Sequence, residues 1–495
     1  MPNTVDPKIP ETGSVMVTSL QSYMRSRPLN SFSLLILSLI GGFCVILPIY
    51  ETPLRTIRGN EGWLAVLAAN WRLGYGLYPG AQEFIVGNYP PLSYLPYVIF
   101  DYLLGDSIIA GRWLSWLMFG AIIILCYQII FNLTRSATSA VVTAILLFAT
   151  FAVWYGGNLG VADPQLTGHA VQLIGLLFLA RRPRDYQSIA ISTCFLIIGG
   201  LVKPNLFGFP IGLALYLLWI SRRLFFIWAA SSITAIAMIT IAMVLWFGSD
   251  VLWPNLLLGR TYSLQVFLSS LKLILTIAVP LTFCGLFYRS LASTDGGRLI
   301  LCLLCGSLVE FMIAAPAAGT AFNIGYDLAL AACLGIGIIL KSMESRLAGP
   351  SLNVATVFFV CEVVRVVVSV IPQVSERVPS QENLAKLRSS NRQAETIIVM
   401  LAEVKGKAVC FPMAYCYWAG HYDRIDLSLQ PMRFFRPPRD LAPTLQEIEQ
   451  RQFAAIVIGS TDHPLLRVVE QYYQPNLPIT VQGSIIWVPK PAEDR

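Results

Sequence analysis

The sequence predicts a mainly α-helical, polytopic membrane protein, with about eleven transmembrane helices and a small α/β domain at its C-terminal side. Three observations predict it. Of 495 residues, 55% are hydrophobic and only 13% charged, where a soluble domain carries about 25% charged residues. Mean hydropathy is +0.63. The apolar excess is confined to roughly residues 32–372, whereas residues 373–495 return to ordinary composition.

The elements follow in order. Residues 1–31 are polar, contain Pro and Ser, and lack a signal-peptide layout, so they read as a short cytoplasmic tail. Apolar runs of spanning length then occur at 32–50, 113–131, 137–155, 164–181, 187–202, 206–220, 224–247, 266–288, 299–315, 326–342 and 352–371. Residues 51–112 form a large first outer loop, in which 91–104 is expected to make a half-span or an interfacial helix. In residues 373–495, KAVCFPMAY reads as a strand, TLQEIEQRQFAAIVIGS as a helix running into a strand, HPLLRVVEQYY as a helix and SIIWVPK as a final strand. That alternation indicates α/β structure.

The net charge of +7 does not point to nucleic acid, because the positive residues collect in short loops between apolar runs. Segments on the side of the N-terminus hold Arg135, Arg181, Arg182, Arg184, Arg222, Arg223, Arg289, Arg298, Lys341 and Arg346, while the short loops opposite hold only Lys203 and Arg260. Positive loops stay inside, so the N-terminus is expected in the cytoplasm. An odd number of spans then places the α/β domain outside. Eight of the ten cysteines lie in apolar spans, where Cys behaves as a small hydrophobe. Cys410 and Cys416 fall in the α/β region, where a single bridge could join them. No His or Cys stands at zinc-ligand spacing.

Given this topology, the costly polar residues gather on one side. Glu51 and Glu61 are in the first outer loop, Asp163 opens the fourth span, Lys203 ends the fifth and Arg260 is in an outer loop. Asn323 and Asp327 begin the tenth span, and Glu310 lies deeper in the ninth. Ionisable residues at membrane depth usually face a cavity or a partner. Each also has a plainer reading. A loop Glu is solvated, Asp163 before Pro164 caps a helix, Lys203 snorkels, Glu310 pairs with a neighbouring span and His169 is a satisfied core histidine. Glu362 and Arg365, three apart, read as an internal ion pair. The stretch NYPPLSYLPY, residues 88–97, supplies proline bends, with Tyr89 and Tyr94 as either an aromatic belt or the lining of a cavity.

The order NEGWLAVLAANWRLGYGLYP, NYPPLSYLPY and GRWLSWL resembles the GT-C superfamily of membrane glycosyltransferases, in particular the relatives of protein O-mannosyltransferases and lipid A aminoarabinose transferases. VADPQLTGHAVQLIGLLFLARRP is similar to the family's second acidic motif, LVKPNLFGFP to its lysine segment, and GTAFNIGYDLAL to the start of a late span. The resemblance covers residues 30–345 and, more loosely, the outer α/β domain.

It implies a plasma (inner) membrane enzyme that moves a sugar from a polyprenyl-phosphate donor to an acceptor hydroxyl on a lipid, glycan or protein, with inversion. Carried over by position, the first-loop acid falls on Glu61, the second on Asp163 and the lysine on Lys203. Glu61 would be the base and Asp163 would orient the acceptor or share that role. Many members have Asp, or an Asp-Glu pair, where this chain has Asn60-Glu61, which leaves open whether Glu61 or a neighbour, with Glu51 as understudy, is the base. Lys203, Arg260 and Arg58 would hold the donor phosphate, with Lys272 as a further candidate. Glu51, Tyr89, Tyr94, Asn323, Asp327 and Glu310 would line the substrate cavity. No cofactor is assigned, and assistance by a divalent ion, Mg or Mn, is left open. The competing class is a secondary transporter or flippase, but no internal repeat is seen and the polar residues cluster outside the midplane.

Overall fold

A computed structural model describes residues 28–58, 61–80, 83, 85, 87–256, 262–317, 322–344, 354–423, 425, 442–458, 463, 465–476 and 484–491. Among the described residues, each apolar run predicted to span the membrane is mostly helical. The first is α1 (Pro28–Glu51). The loop after it contains α2 (Glu61–Arg72) and α3 (Pro91–Leu104), the latter being the expected short helix of the outer loop. Then come α4 (Ser107–Thr134), α5 (Ala137–Trp154), α6 (Gln165–Arg181), α7 (Tyr186–Val202), α8 (Gly208–Ile220) and α9 (Arg222–Phe247). After α10 (Ser249–Leu256) follow α11 (Leu264–Ser270), α12 (Ala278–Leu286), α13 (Asp295–Ala314), α14 (Tyr326–Glu344) and α15 (Val354–Val370).

Local sequence sets the helix starts. Asp106 accepts from the N–H groups of Ile108 and Ile109 at 3.1 and 3.0 Å, and Ser136, Asp185 and Thr294 cap their helices in the same way. Among the described residues, seven helices are long and apolar enough to cross a membrane, or eight if a bent pair counts as one span. α6 and α7 have 17 residues and α8 has 13, at or below the lower limit for spanning alone. The expected single span over 266–288 is broken instead. α11 and α12 belong to segments that meet at 76°. The break leaves the Thr276 carbonyl without a helical donor, and Arg365 of α15 donates to it. Arg365 also pairs with Glu362, as its spacing predicts, and lies over the Trp154 ring at 3.8 Å. An interrupted helix at membrane depth is tolerated when protein groups satisfy its backbone in this way.

The core is the contact of α6 with α7, α8 with α13, α4 with α5 and α6, and α1 with α5. α14 is buried along almost its whole length, whereas α9 buries only Ser232 and turns its apolar surface outward. α14 is thus the central helix and α9 a lipid-facing one.

Beyond α15, helix α16 (Gln381–Ala402) leads to a four-stranded sheet. Its elements in chain order are β1 (Ala408–Phe411), α17 (Ala414–Trp418), α18 (Ala442–Glu449), β2 (Ala455–Ile458), α19 (Leu466–Tyr472), β3 (Tyr473–Pro475) and β4 (Ile485–Pro489). The strand order is β1-β2-β4-β3, with β1 parallel to β2 (Ala408 opposite Ala455) and the other pairs antiparallel. β3 was not expected from the sequence; it begins at Tyr473, the last residue of the stretch HPLLRVVEQYY read as a helix. Cys410 and Cys416 are disulfide-bonded, joining β1 to α17.

This domain is firmly docked. The Tyr417 hydroxyl donates to Asp101 Oδ1 and accepts from the Ser107 N–H, both at 2.8 Å, and Trp418 Nε1 donates to Asp106 Oδ2 at 3.0 Å. Gly62 of α2 meets α17 so closely that a Cβ there would lie 2.1 Å from Ala414 N.

Candidate active site

The described polar residues singled out above form three separate groups. The first is built on α2. Glu61 is held by Arg112 of α4, whose Nε lies 2.9 Å from Oε1 and whose Nη2 lies 2.5 Å from Oε2. The guanidinium also donates to the Leu54 and Thr56 carbonyls at 2.6 and 2.7 Å. Glu61 Oε1 further accepts from the Ala162 N–H at 2.7 Å. The Glu61 and Arg112 side chains are 1% and 0% exposed. Burial pushes the Glu61 carboxyl above its ordinary range, with Arg112 and the Ala162 N–H pulling against that.

Arg58 completes this network. It donates to the Leu159 and Gly160 carbonyls, both at 2.9 Å, and lies 3.5 Å from Glu51. Burial lowers its pKa, against the pull of Glu51 and Glu61. Gly160 has φ +67°, a conformation that suits glycine, and a Cβ there would lie 2.3 Å from Trp116 Nε1. The loop between α5 and α6 is therefore clamped at 159 and 160 by Arg58 and at 162 by the carboxylate of Glu61, which Arg112 braces. Arg58 and Glu51 also line a cavity of about 540 Å³ with Arg377 and Lys386.

The clamped loop ends in the second group, at Asp163. Lys203, at the end of α7, lies 2.7 and 2.9 Å from its two oxygens. Asp163 Oδ1 also accepts from the Gln165 N–H at 2.7 Å, so the capping role and the ionic role coexist. Its side chain is 30% exposed while that of Lys203 is 5% exposed. Burial opposes the charge on Lys203, but Asp163 and Tyr89 outweigh it and hold the ammonium above the ordinary lysine range. Tyr89 lies beneath it, ring centroid 5.4 Å from Nζ, and is itself met edge-on by Trp63 at 5.2 Å. This group offers a solvent-reachable carboxylate beside a fixed cation.

The third group lies deeper. His169 of α6 stands 2.5 Å from Asp327 of α14, and its Nδ1 is 2.8 Å from the Gln165 carbonyl. Glu310 Oε2 accepts from the Gly208 N–H at 3.0 Å, and a Cβ on Gly208 would lie 2.3 Å from Glu310 Oε2 and 2.8 Å from Asp327 Oδ2, so both carboxyl groups crowd that glycine. All three side chains are buried, so this cluster joins α6, α8, α13 and α14.

Of the other predicted residues, Asn323 is half-buried in a short 3-10 turn before α14. Tyr94 is fully buried against Tyr78, so it lines no open cavity here. Arg260 lies outside the described residues. Sequence reasoning missed Arg112. The signal was present, an arginine five residues into an apolar helix, where a buried partner is demanded. Among the described residues no three His, Cys, Asp or Glu side chains gather to hold a metal.

No protein-family model matches the chain, and no curated protein matches it by sequence. Solved structures do match. ArnT from Cupriavidus metallidurans bound to undecaprenyl phosphate is similar over 93% of this chain and 98% of that one, with TM-score 0.58 and 11% identity. Its apo state gives 0.57 at 11% identity, over 94% and 98%. An oligosaccharyltransferase from Archaeoglobus fulgidus, in complex with zinc and sulfate, is similar over 90% of this chain and 71% of that one, with TM-score 0.44 and 11% identity. The likeness to ArnT runs along nearly the whole of both chains, spans and α/β domain together. The chain is a multi-pass membrane protein of the GT-C fold.

Proposed function

We propose that the protein is a glycosyltransferase that moves a sugar from a polyprenyl-phosphate donor to an acceptor hydroxyl at the outer face of the inner membrane. The observation that carries this reading is the Asp163–Lys203 pair, a partly open carboxylate against a buried ammonium, in a fold similar to a protein that binds undecaprenyl phosphate. The Cys410–Cys416 disulfide favours an oxidising side for the α/β domain.

The sequence reading gave the base role to Glu61. What supports giving it to Asp163 is access. Glu61 is enclosed by Arg112 and the Ala162 N–H, whereas Asp163 reaches solvent. Donor phosphate arriving at Lys203 would compete with Asp163 for the ammonium and release carboxylate lone pairs. Asp163 then takes the proton of the acceptor hydroxyl as its oxygen bonds the anomeric carbon. The bond from that carbon to the phosphate oxygen breaks, and its electron pair leaves with the polyprenyl phosphate. Lys203 offsets the charge that develops there, and Arg260 is proposed as a second cation. Displacement in one step inverts the anomeric centre. Glu61, Arg112 and Arg58 act as positioning residues for the Asp163 loop.

Proteoliposomes supplied with polyprenyl-phosphate sugars test this reading. Wild type should release polyprenyl phosphate, and Asp163→Asn should bind donor without releasing it. A transporter or flippase is the second reading, favoured by the Glu310, Asp327 and His169 cluster at membrane depth. Movement of a substrate across the bilayer without release of polyprenyl phosphate would select it.

A further inference from the structure

We propose that the cleft between the C-terminal end of α2 and the α/β domain binds a neutral saccharide unit of the acceptor. The role assigned to that unit rests on the transferase reading, but the binding itself does not. The cleft holds about 580 Å³, within the range of sites for small organic ligands. Asn70 and Tyr75 line one wall, and Tyr422, Asp423 and Glu447 the other. The walls are tied to each other, because Asn70 Nδ2 donates to the Tyr422 carbonyl at 2.8 Å.

The lining selects the chemistry. Three carboxylates, those of Glu83, Asp423 and Glu447, face the cleft with one ammonium, Lys407. Lys407 is already engaged by Glu447 at 2.7 Å. Such a surface repels phosphates and acidic sugars. Carboxylate oxygens accept hydrogen bonds, as those of Glu83 and Asp423 do from the Gly80 and Ala408 N–H groups, and each hydroxyl of a polyol brings one donor to such a surface. Tyr75 is 69% exposed, offering an apolar face of the kind on which the C–H side of a pyranose rests. Tyr422 is half-buried and packs on Tyr417, with centroids 6.0 Å apart, so its position is fixed.

The location selects the role. α2 carries Glu61 at its first residue and Asn70 near its last, about 13 Å apart at 1.5 Å per residue. The near end touches the loop of Asp163 through the Glu61–Ala162 hydrogen bond. The cleft at the far end therefore suits a sugar removed from the one attacked, and the enzyme would read an acceptor glycan at two points.

The test uses the full chain in lipid nanodiscs, without donor, titrated with maltotriose, mannotriose and chitotriose and followed by calorimetry and saturation-transfer NMR. At least one of these should bind. Tyr75→Ala, which removes an exposed ring and leaves no core void, should weaken it at least tenfold, and Asp423→Asn should do the same. A phosphorylated form of the bound saccharide should also bind at least tenfold more weakly. The proposal is overturned if no saccharide binds, if neither substitution alters binding, or if the cleft instead takes Mg²⁺ or Ca²⁺ and loses it in Asp423→Asn. Because no donor is present, failure of the transferase reading would leave the binding result intact. Donor turnover without saccharide binding would sink the cleft proposal alone.

Discussion

Glu61–Arg112 and Asp163–Lys203 are both carboxylate–cation pairs at the same end of the bundle, yet their surroundings differ sharply. The first is bidentate and 0–1% exposed, with every Arg112 side-chain nitrogen directed at a carbonyl or the carboxylate. The second has a buried cation and a carboxylate 30% open. A buried pair that lost one partner would leave an uncompensated charge, so the first is suited to holding shape. The open carboxylate can meet a substrate and change partners. Position in the sequence, and even acidity, would not separate these roles; access does.

Substitutions can break this contrast. The largest effect is expected from Asp163→Asn, which should lower sugar transfer by about 10²–10⁴-fold, the usual scale for a lost general base, while labelled donor still binds. Should transfer survive, the base lies elsewhere. Glu61→Gln strands Arg112 in the interior and should cost about 3–5 kcal/mol of stability, read by denaturant unfolding in micelles. A fully stable but inactive Glu61→Gln protein would reverse the two assignments. Lys203→Met should reduce transfer by about 10²–10³-fold, the scale for a lost charge-stabilising group, and should weaken donor binding, where Asp163→Asn does not. Gly62→Ala is the gentlest of the four. Its new methyl meets Ala414 and should cost about 1–3 kcal/mol as an overpacked contact, seen as faster proteolytic release of the α/β domain.

How much of this the sequence disclosed depends on the range of each interaction. Helices came through because apolar length is a local property, and Glu362–Arg365 because three residues on a helix fix a distance. Cys410 and Cys416, six apart, were similarly within reach. Asp163 and Lys203 were each singled out, but nothing local could say that they touch across 40 positions. Arg112 was passed over because its partner lies 51 residues away. His169 was read as a quiet core residue, and its approach to Asp327 needs α6 and α14 side by side. The broken span between α11 and α12 was only partly legible, through one proline. Its run keeps spanning length, but Pro280 has no N–H to offer the Thr276 carbonyl four residues back, and that carbonyl is satisfied by an arginine from α15.

The close meeting of Gly62 with Ala414 bears on the order in which the protein can mature. Gly62 follows Glu61 directly, and the backbone that closes over it is translated only after the whole helical bundle has been made. A ribosome partway through the message has thus released every residue of the proposed reaction centre, but not the wall that seals α2. Catalytic competence would arrive as a late event in biogenesis, reached when the last domain has folded and docked. A nascent chain in the membrane would meanwhile carry its acids and lysine without consuming donor lipid.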